Sequence, residues 1–161
     1  MWGTKLLIQA IVKKGKVLGE HISAPIVSKG SLLIKVVNSC ISAGTEMSSV
    51  SGSGKSLIKR AMEQPQNVKK VLNMVKSDGI AKTYATVKGK LDSGNPTGYS
   101  ISGVVIAVGD GVTGFEVGDR VAAAGAGLAN HAEYVDVPQN LVMKTPKGMS
   151  FEDASTVTLG G

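Results

Sequence analysis

Two glycine-rich stretches are the first places where this chain could hold a charged ligand, because amides in a glycine turn can cradle phosphate. Gly52-Ser53-Gly54-Lys55-Ser56 ends like a phosphate-binding loop, but the leading glycine would fall on Ser49, and no convincing parallel strand precedes it. Gly125-Ala126-Gly127-Leu128-Ala129-Asn130 is patterned like a dinucleotide fingerprint, yet Asn130 replaces the last glycine and a strand follows. A true fingerprint opens a helix whose N-terminus holds the pyrophosphate. Both are rejected. The single cysteine, Cys40, excludes an internal disulfide and a cysteine zinc cluster, and it lies in an apolar strand as an inert small side chain. The remaining chemistry rests on hydroxyls, carboxylates and the two histidines. A hydroxyl both donates and accepts, so it suits a proton relay.

The elements around these residues fall into three regions. From Lys5 to about Ser39 the pattern is β: Leu6-Leu7-Ile8 and Leu32–Val37 are aliphatic runs bounded by Lys-Gly turns at 14–15 and 29–30. From about 53 to 93 the period changes. Val68, Val71, Leu72 and Val75 draw one apolar stripe down a helix that Pro65 opens and Ser77-Asp78-Gly79 stops. Ile80, Tyr84, Val87 and Leu91 repeat on a second helix, interrupted late by Gly89, and a shorter helix is expected around Ser56–Glu63. Val68, Val71, Val75, Tyr84 and Val87 are expected to dock this insertion, with its lysines outward. From Pro96 the pattern is β again: Ile101–Val108, Arg120–Ala124 and His131–Val137, with Gly118-Asp119 as turn chemistry. Ser150-Phe151-Glu152-Asp153 has capping-box spacing, so a helix starts there.

Composition sets the outer limits. A chain of 161 residues suits one domain with a core of its own. No apolar run approaches the ~20 residues of a membrane span, and the N-terminus lacks a signal-peptide pattern, so a cytoplasmic protein without a membrane partner is expected. The net charge of +6 is concentrated between Lys55 and Lys90, where nine Lys or Arg face only Glu63 and Asp78. Such a lysine-rich segment usually presents a solvated face. Tyr84 is its one aromatic for base stacking, so no nucleic-acid partner is expected.

From Gly98 the chain reads GYSISGVVIAVGDGVTGFEVGDRV and then HAEYVDVPQNLVMKTPKGMSFEDA. This resembles the catalytic domain of the medium-chain dehydrogenase/reductase family: a glycine-led motif, a valine-rich strand, F-x-x-G-D-x-V, an A-E-Y strand and an S-x-E-x-A helix. Val36–Glu46 resembles the strand and turn that carry the family's first zinc cysteine. The resemblance implies a mainly β fold, a GroES-like distorted β-barrel over residues 1–161 with a helical insertion at about 53–93. It also implies a nucleotide-binding Rossmann domain downstream, which is not in these residues.

The resemblance is most informative where it breaks. Alignment on Thr45-Glu46 puts Ala43 at the cysteine position, and alignment on Gly98 puts Tyr99 and Ser100 where His and Glu would stand. Catalytic zinc needs three ligands of the His, Cys, Asp or Glu type, so no metal is expected and the resemblance moves to the zinc-lacking branch. Thr45 matches the family's proton-relaying hydroxyl; its other reading is a turn or cap at a helix start. Tyr99 could polarise a substrate carbonyl or simply fill the vacated metal site. Ser42, Gly44, Glu46, Ser100 and His131 would line the substrate and cofactor cleft, with Glu46 orienting its neighbours or capping the turn and His131 either structural or catalytic.

The function this implies is that of a substrate-binding, catalytic domain of a zinc-independent oxidoreductase, using NAD or NADP in the full-length protein. Its substrate would be a small alcohol, carbonyl or sugar-type molecule, and the fragment alone is expected to be inactive. The SAGTE turn, the insertion and GYS resemble a subgroup fused to a second, sugar-type oxidoreductase module. A homo-oligomer is compatible with these readings. The alternative is a non-enzymatic, co-chaperonin-like GroES module, against which the terminal S-x-E-x-A helix argues.

Overall fold

The computed structural model describes residues 6–54 and 65–160. In chain order the elements are β1 (Leu6–Lys13), β2 (Lys16–Ser23), β3 (Ser31–Ser39), α1 (Ala43–Gly54), α2 (Pro65–Asp78), α3 (Ile80–Ser93), β4 (Asn95–Pro96), β5 (Ser100–Val108), β6 (Arg120–Ala124), β7 (Tyr134–Pro138), β8 (Val142–Lys144) and α4 (Phe151–Gly160), with a 3-10 turn at Gln139–Leu141. The chain divides into two compact units. One comprises Met1–Ala10, Gly19–Glu46 and Pro96–Gly161; the other comprises Ile11–Leu18 and Met47–Asn95.

The first unit is built on a five-stranded antiparallel sheet of order β7-β3-β5-β6-β8. Leu32, Ile34, Ile101, Val105, Val121, Val135 and Val137 point to one face and form its core. Each such buried aliphatic side chain contributes on the order of 1.5–3 kcal/mol. Strand β5 is covered on its other face as well. There Ser100 donates from Oγ to the Ser155 carbonyl of α4 at 2.6 Å, and Ser102 donates to the Phe151 carbonyl. A buried hydroxyl without such a bond would be costly, so these serines fit a strand roofed by a helix.

The β3–β5 ladder carries two irregularities, one between Leu33 and Ile34 and one between Val36 and Asn38. The extra residues are Ile106 on β5 and Val37 on β3, and both are exposed although apolar. Bulges of this kind bend a strand and increase its twist, which curls the sheet. The lead-in to β7 continues the curl, since Ala132 bridges Gln9 of β1 and Glu133 N donates to the Ile8 carbonyl. The mainly β, GroES-like architecture expected from the sequence is present.

The second unit contains α2 and α3. Helix α2 runs from Pro65 to Asp78 and stops at Gly79, whose φ of 82° no other residue adopts as easily. Helix α3 runs through Gly89 without a break, contrary to the expected interruption. The expected burial of the helical stripe is only partly found. Val75 and Val87 are half-buried, whereas Val68, Val71 and Tyr84 are 37%, 36% and 66% exposed. The apolar period specified the helices but not what covers them. The helix expected at Ser56–Glu63 lies outside the described residues. Helix α1 begins at Ala43, where one reading of Thr45 put a helix start, although its glycines and serines make no apolar stripe.

Turn chemistry is clearest at Gly118-Asp119-Arg120. Glu116 N donates to Asp119 Oδ2 at 2.8 Å, and Lys144 Nζ sits 2.8 Å from the same oxygen. Arg120 lies over the Phe151 ring and donates from Nη2 to the Met149 carbonyl. At the start of α4 the Asp153 N–H donates to Ser150 Oγ at 3.0 Å. The carboxylate of Asp153 accepts from the Ser150 hydroxyl and not, as expected, from its backbone.

Two predictions follow from these contacts. At Gly103 a Cβ would stand 2.2 Å from the Lys35 carbonyl oxygen and 2.8 Å from Ile34 Cγ2, whereas at Gly89 it would meet nothing within 4 Å. Gly103→Ala should cost about 3 kcal/mol through overpacking, and Gly89→Ala should gain up to about 1 kcal/mol from helix propensity. Urea denaturation of the two variants measures this opposition of sign. The second prediction concerns acid. The Lys144 ammonium and then the Glu116 amide hold the Asp119 carboxyl below the usual aspartate range. A pKa depressed by folding contributes stability above the unfolded-state value and loses it as pH falls through the folded-state value. Asp119→Asn should therefore lower Tm at neutral pH, with the difference closing below about pH 4. Thermal melts between pH 7 and pH 2 check it, and a gap that persists in acid would remove the ion pair as its cause.

Candidate functional site

The last rungs of the β3–β5 ladder pair Ser39 with Ile101, and Cys40 N donates to the Ser100 carbonyl at 3.0 Å. That register brings the residues after β3 beside the residues before β5. Helix α1 then starts at Ala43, with Glu46 N donating to the Ser42 carbonyl at 2.9 Å. Its first turn therefore presents Gly44, Thr45 and Glu46 next to the Thr97-Gly98-Tyr99 turn. Cys40 is a half-buried free thiol at the strand end and makes no part of the chemistry described below.

Two polar groupings result. In the first, the Tyr99 hydroxyl lies 3.5 Å from Thr45 Oγ1, and Ser42 Oγ lies 3.4 Å from the same oxygen. These are long contacts at the edge of hydrogen bonding, and Thr45 is exposed. In the second, Glu46 accepts from Thr97 Oγ1 at one carboxylate oxygen, and its other oxygen lies 3.1 Å from His131 Nε2. The Glu46 and His131 side chains are each only 13% exposed. His131 Nδ1 is buried and has no hydrogen-bond partner among the described residues.

The turn that carries Tyr99 is tightly specified. Gly98 has φ of 95°, and a Cβ there would fall 2.6 Å from His131 N and 2.8 Å from the imidazole. Only glycine satisfies both constraints. The Tyr99 carbonyl accepts from Gly125 N at 2.9 Å, so the Gly125–Asn130 stretch serves as a turn holding Tyr99 in place.

Of the residues expected in the site, Ser42, Gly44, Thr45, Glu46, Tyr99 and His131 come together. Ser100 lies apart. It is fully buried and bonded to Ser155 and Thr158 of α4. His131 precedes β7 and is not part of it, because its backbone bonds go to Thr97 and Ala10. Thr97 is the member that sequence reasoning missed. It stands one residue before the glycine-led motif and meets Glu46 from 51 positions away, so no local pattern marks it.

Two features of the described residues bear on zinc and on a dinucleotide. Among the described residues no three His, Cys, Asp or Glu side chains gather to hold a metal. Ala43 offers no donor, and Tyr99 is engaged with Thr45. In the Gly125–Asn130 turn the Leu128 and Ala129 amides are spent on the Gly125 carbonyl, leaving no helix N-terminus for a pyrophosphate.

Comparison with known proteins bears on the fold and the family. Residues 68–147 match the alcohol dehydrogenase GroES-like domain. The chain is 36% identical over 107 residues to the human synaptic vesicle membrane protein VAT-1 homolog-like, covering 62% of this chain and 24% of that protein. The quinone oxidoreductase of Coxiella burnetii superposes with a TM-score of 0.63 at 18% identity, over 95% of this chain and 41% of that one. A mycobacterial protein complexed with NADPH gives 0.60 at 21% identity, over 95% and 36%. The chain thus spans about a quarter to two-fifths of the length of these proteins, and the two solved structures share its fold. Fold, family match and relatives together make this chain similar to the alcohol dehydrogenase GroES-like domain.

Proposed function

We propose that this chain is the substrate-side domain of a zinc-independent oxidoreductase that uses NAD or NADP. The observation that carries the reading is the Tyr99–Thr45 hydroxyl pair, 3.5 Å apart, at positions where zinc-dependent relatives carry metal-ligand and relay residues. The likeness to a quinone oxidoreductase and to a protein complexed with NADPH supports it. The hydride would come from a nicotinamide held by a Rossmann domain outside these residues, since nothing described here cradles a pyrophosphate.

What this domain's own residues would do is bind and polarise an oxygen. A substrate carbonyl seated beside the pair would accept a hydrogen bond from the Tyr99 phenol. Thr45, which can donate and accept at once, would pass a proton between that oxygen and Ser42 toward solvent. Hydrogen-bond donors at a developing oxyanion typically supply about 10²–10³-fold in rate. The substrate class is an alcohol, a carbonyl compound or a sugar-type molecule, with the protein working in the cytoplasm.

Three measurements test the reading. In the full-length enzyme Tyr99→Phe should lower kcat about 10²-fold with a smaller change in KM, and Thr45→Val should do the same. An unaltered kcat in Tyr99→Phe would mean that the ring only fills space. The 161-residue chain should fold alone, yet calorimetry should detect no binding of NADH or NADPH, and elemental analysis should find well under one zinc per chain. Micromolar cofactor affinity in the fragment would place the nucleotide site inside these residues.

A further inference from the structure

The Tyr99–Thr45 pair rests on two short segments far apart in sequence, and one closed set of polar contacts ties those segments together. Thr97 donates from its hydroxyl to Glu46, the residue after Thr45. Its carbonyl accepts from His131 N at 2.8 Å, and its amide donates to the Ala10 carbonyl. His131 closes the ring by placing Nε2 3.1 Å from the second oxygen of Glu46. Gly98, between Thr97 and Tyr99, packs so close to the imidazole that no methyl fits. Each member of this ring is therefore one or two residues from a hydroxyl of the pair, or is locked against one that is.

We propose that Glu46 is the positioning residue of this site, and that His131 serves it as an Nε2–H donor and not as an acid or base toward substrate. This rests on the oxidoreductase reading above only for its catalytic consequence. The geometry argues both halves. A general base needs a free nitrogen within reach of the reacting group. His131 offers none, because Nε2 is taken by Glu46 and Nδ1 is buried against the Gly98 turn without a partner. A carboxylate can only accept, so the proton between Glu46 and His131 belongs on Nε2. Glu46 then receives donors from two different segments, one at each oxygen. Those bonds orient the first turn of α1 and hold Thr45 toward Tyr99. The cost of the bare Nδ1 is tolerated because the strut needs only the other nitrogen.

The test separates donor position from mere size. Glutamine can place an amide N–H where Nε2 stands, whereas asparagine can only imitate Nδ1. In the 161-residue chain with ¹³C-labelled tyrosine and ¹⁵N-labelled histidine, NMR should show the His131 proton on Nε2. The Tyr99 resonances should keep their wild-type positions in His131→Gln and shift in His131→Asn, with both variants melting as cooperatively as wild type. Glu46→Ala should move Tyr99 as well; should that variant fail to fold, Thr97→Val removes one anchor at lower risk and should shift the same signals. Equal Tyr99 spectra in the Gln and Asn variants, or a proton on Nδ1, would overturn the proposal. In the full-length enzyme the Asn variant should lose about 10- to 100-fold in kcat at near-constant KM, and the Gln variant should stay within about twofold. If the spectra divide as expected while kcat is unmoved in both, Glu46 still positions the pair, and the catalytic reading of Thr45 and Tyr99 is what fails.

Discussion

The pairing of β3 with β5 is the constraint on which the rest of this structure depends. Strand β5 is buried on both faces, by the aliphatic core on one side and by α4 on the other, so its register cannot slip without exposing one set and stranding the other. The same ladder sets the geometry of the site. Its end fixes Cys40 on the Ser100 carbonyl, and from there α1 and the Tyr99 turn have little choice of where to meet. At Gly103 the strands approach so closely that the Lys35 carbonyl occupies the place of a side chain. Where the ladder skips, at Val37 and Ile106, apolar side chains are turned outward as the local cost of curling the sheet.

Polar groups are placed in this frame according to how well they can be satisfied. Ser100 and Ser102 sit deepest, and each has a helix carbonyl to donate to. Glu46, a costlier group to shelter, lies nearer solvent and has a partner at each oxygen. Of the three buried side-chain atoms without partners among the described residues, His131 Nδ1 and Asn130 Oδ1 are in the short segment before β7, beside the site, and Thr83 Oγ1 is on α3. Unsatisfied buried atoms are rare enough that the adjacent pair before β7 sets this segment apart from the rest of the frame.

Much of this frame was legible in the sequence. The β-runs, the helix bounded by Pro65 and Gly79, and the α4 cap all rest on period and punctuation, which are local properties. The site was legible only as two motifs, SAGTE and GYS. That they meet depends on strand register, a long-range property. Thr97 and the Glu46–His131 contact depend on it too, and no spacing rule could have found them. Ser100 was misjudged for a related reason: in an alternating strand its neighbour Tyr99 can face the site only if Ser100 faces the other way, toward α4. The insertion was read correctly as helical. Burial was overestimated because an apolar stripe says that a helix prefers cover, not that this chain supplies it.

On the proposed reading, a hydroxyl pair in place of a metal would set a limit on what this domain can contribute. A zinc ion polarises an oxygen with a full charge at bonding distance, whereas a phenol offers one hydrogen bond, typically worth about 3–4 kcal/mol at a developing oxyanion. The shortfall must be met by orientation. Fixing donor and acceptor in a near-attack arrangement can supply roughly 7–11 kcal/mol, but only when positional freedom at the reacting oxygen is small. A long, exposed Tyr99–Thr45 contact does not restrict that freedom by itself. The restriction lies one layer back, in the carboxylate that takes donors from two segments and in the glycine turn pressed against an imidazole. If the site works without a metal, as proposed, the residues that hold the hydroxyls would bear on rate as the hydroxyls do.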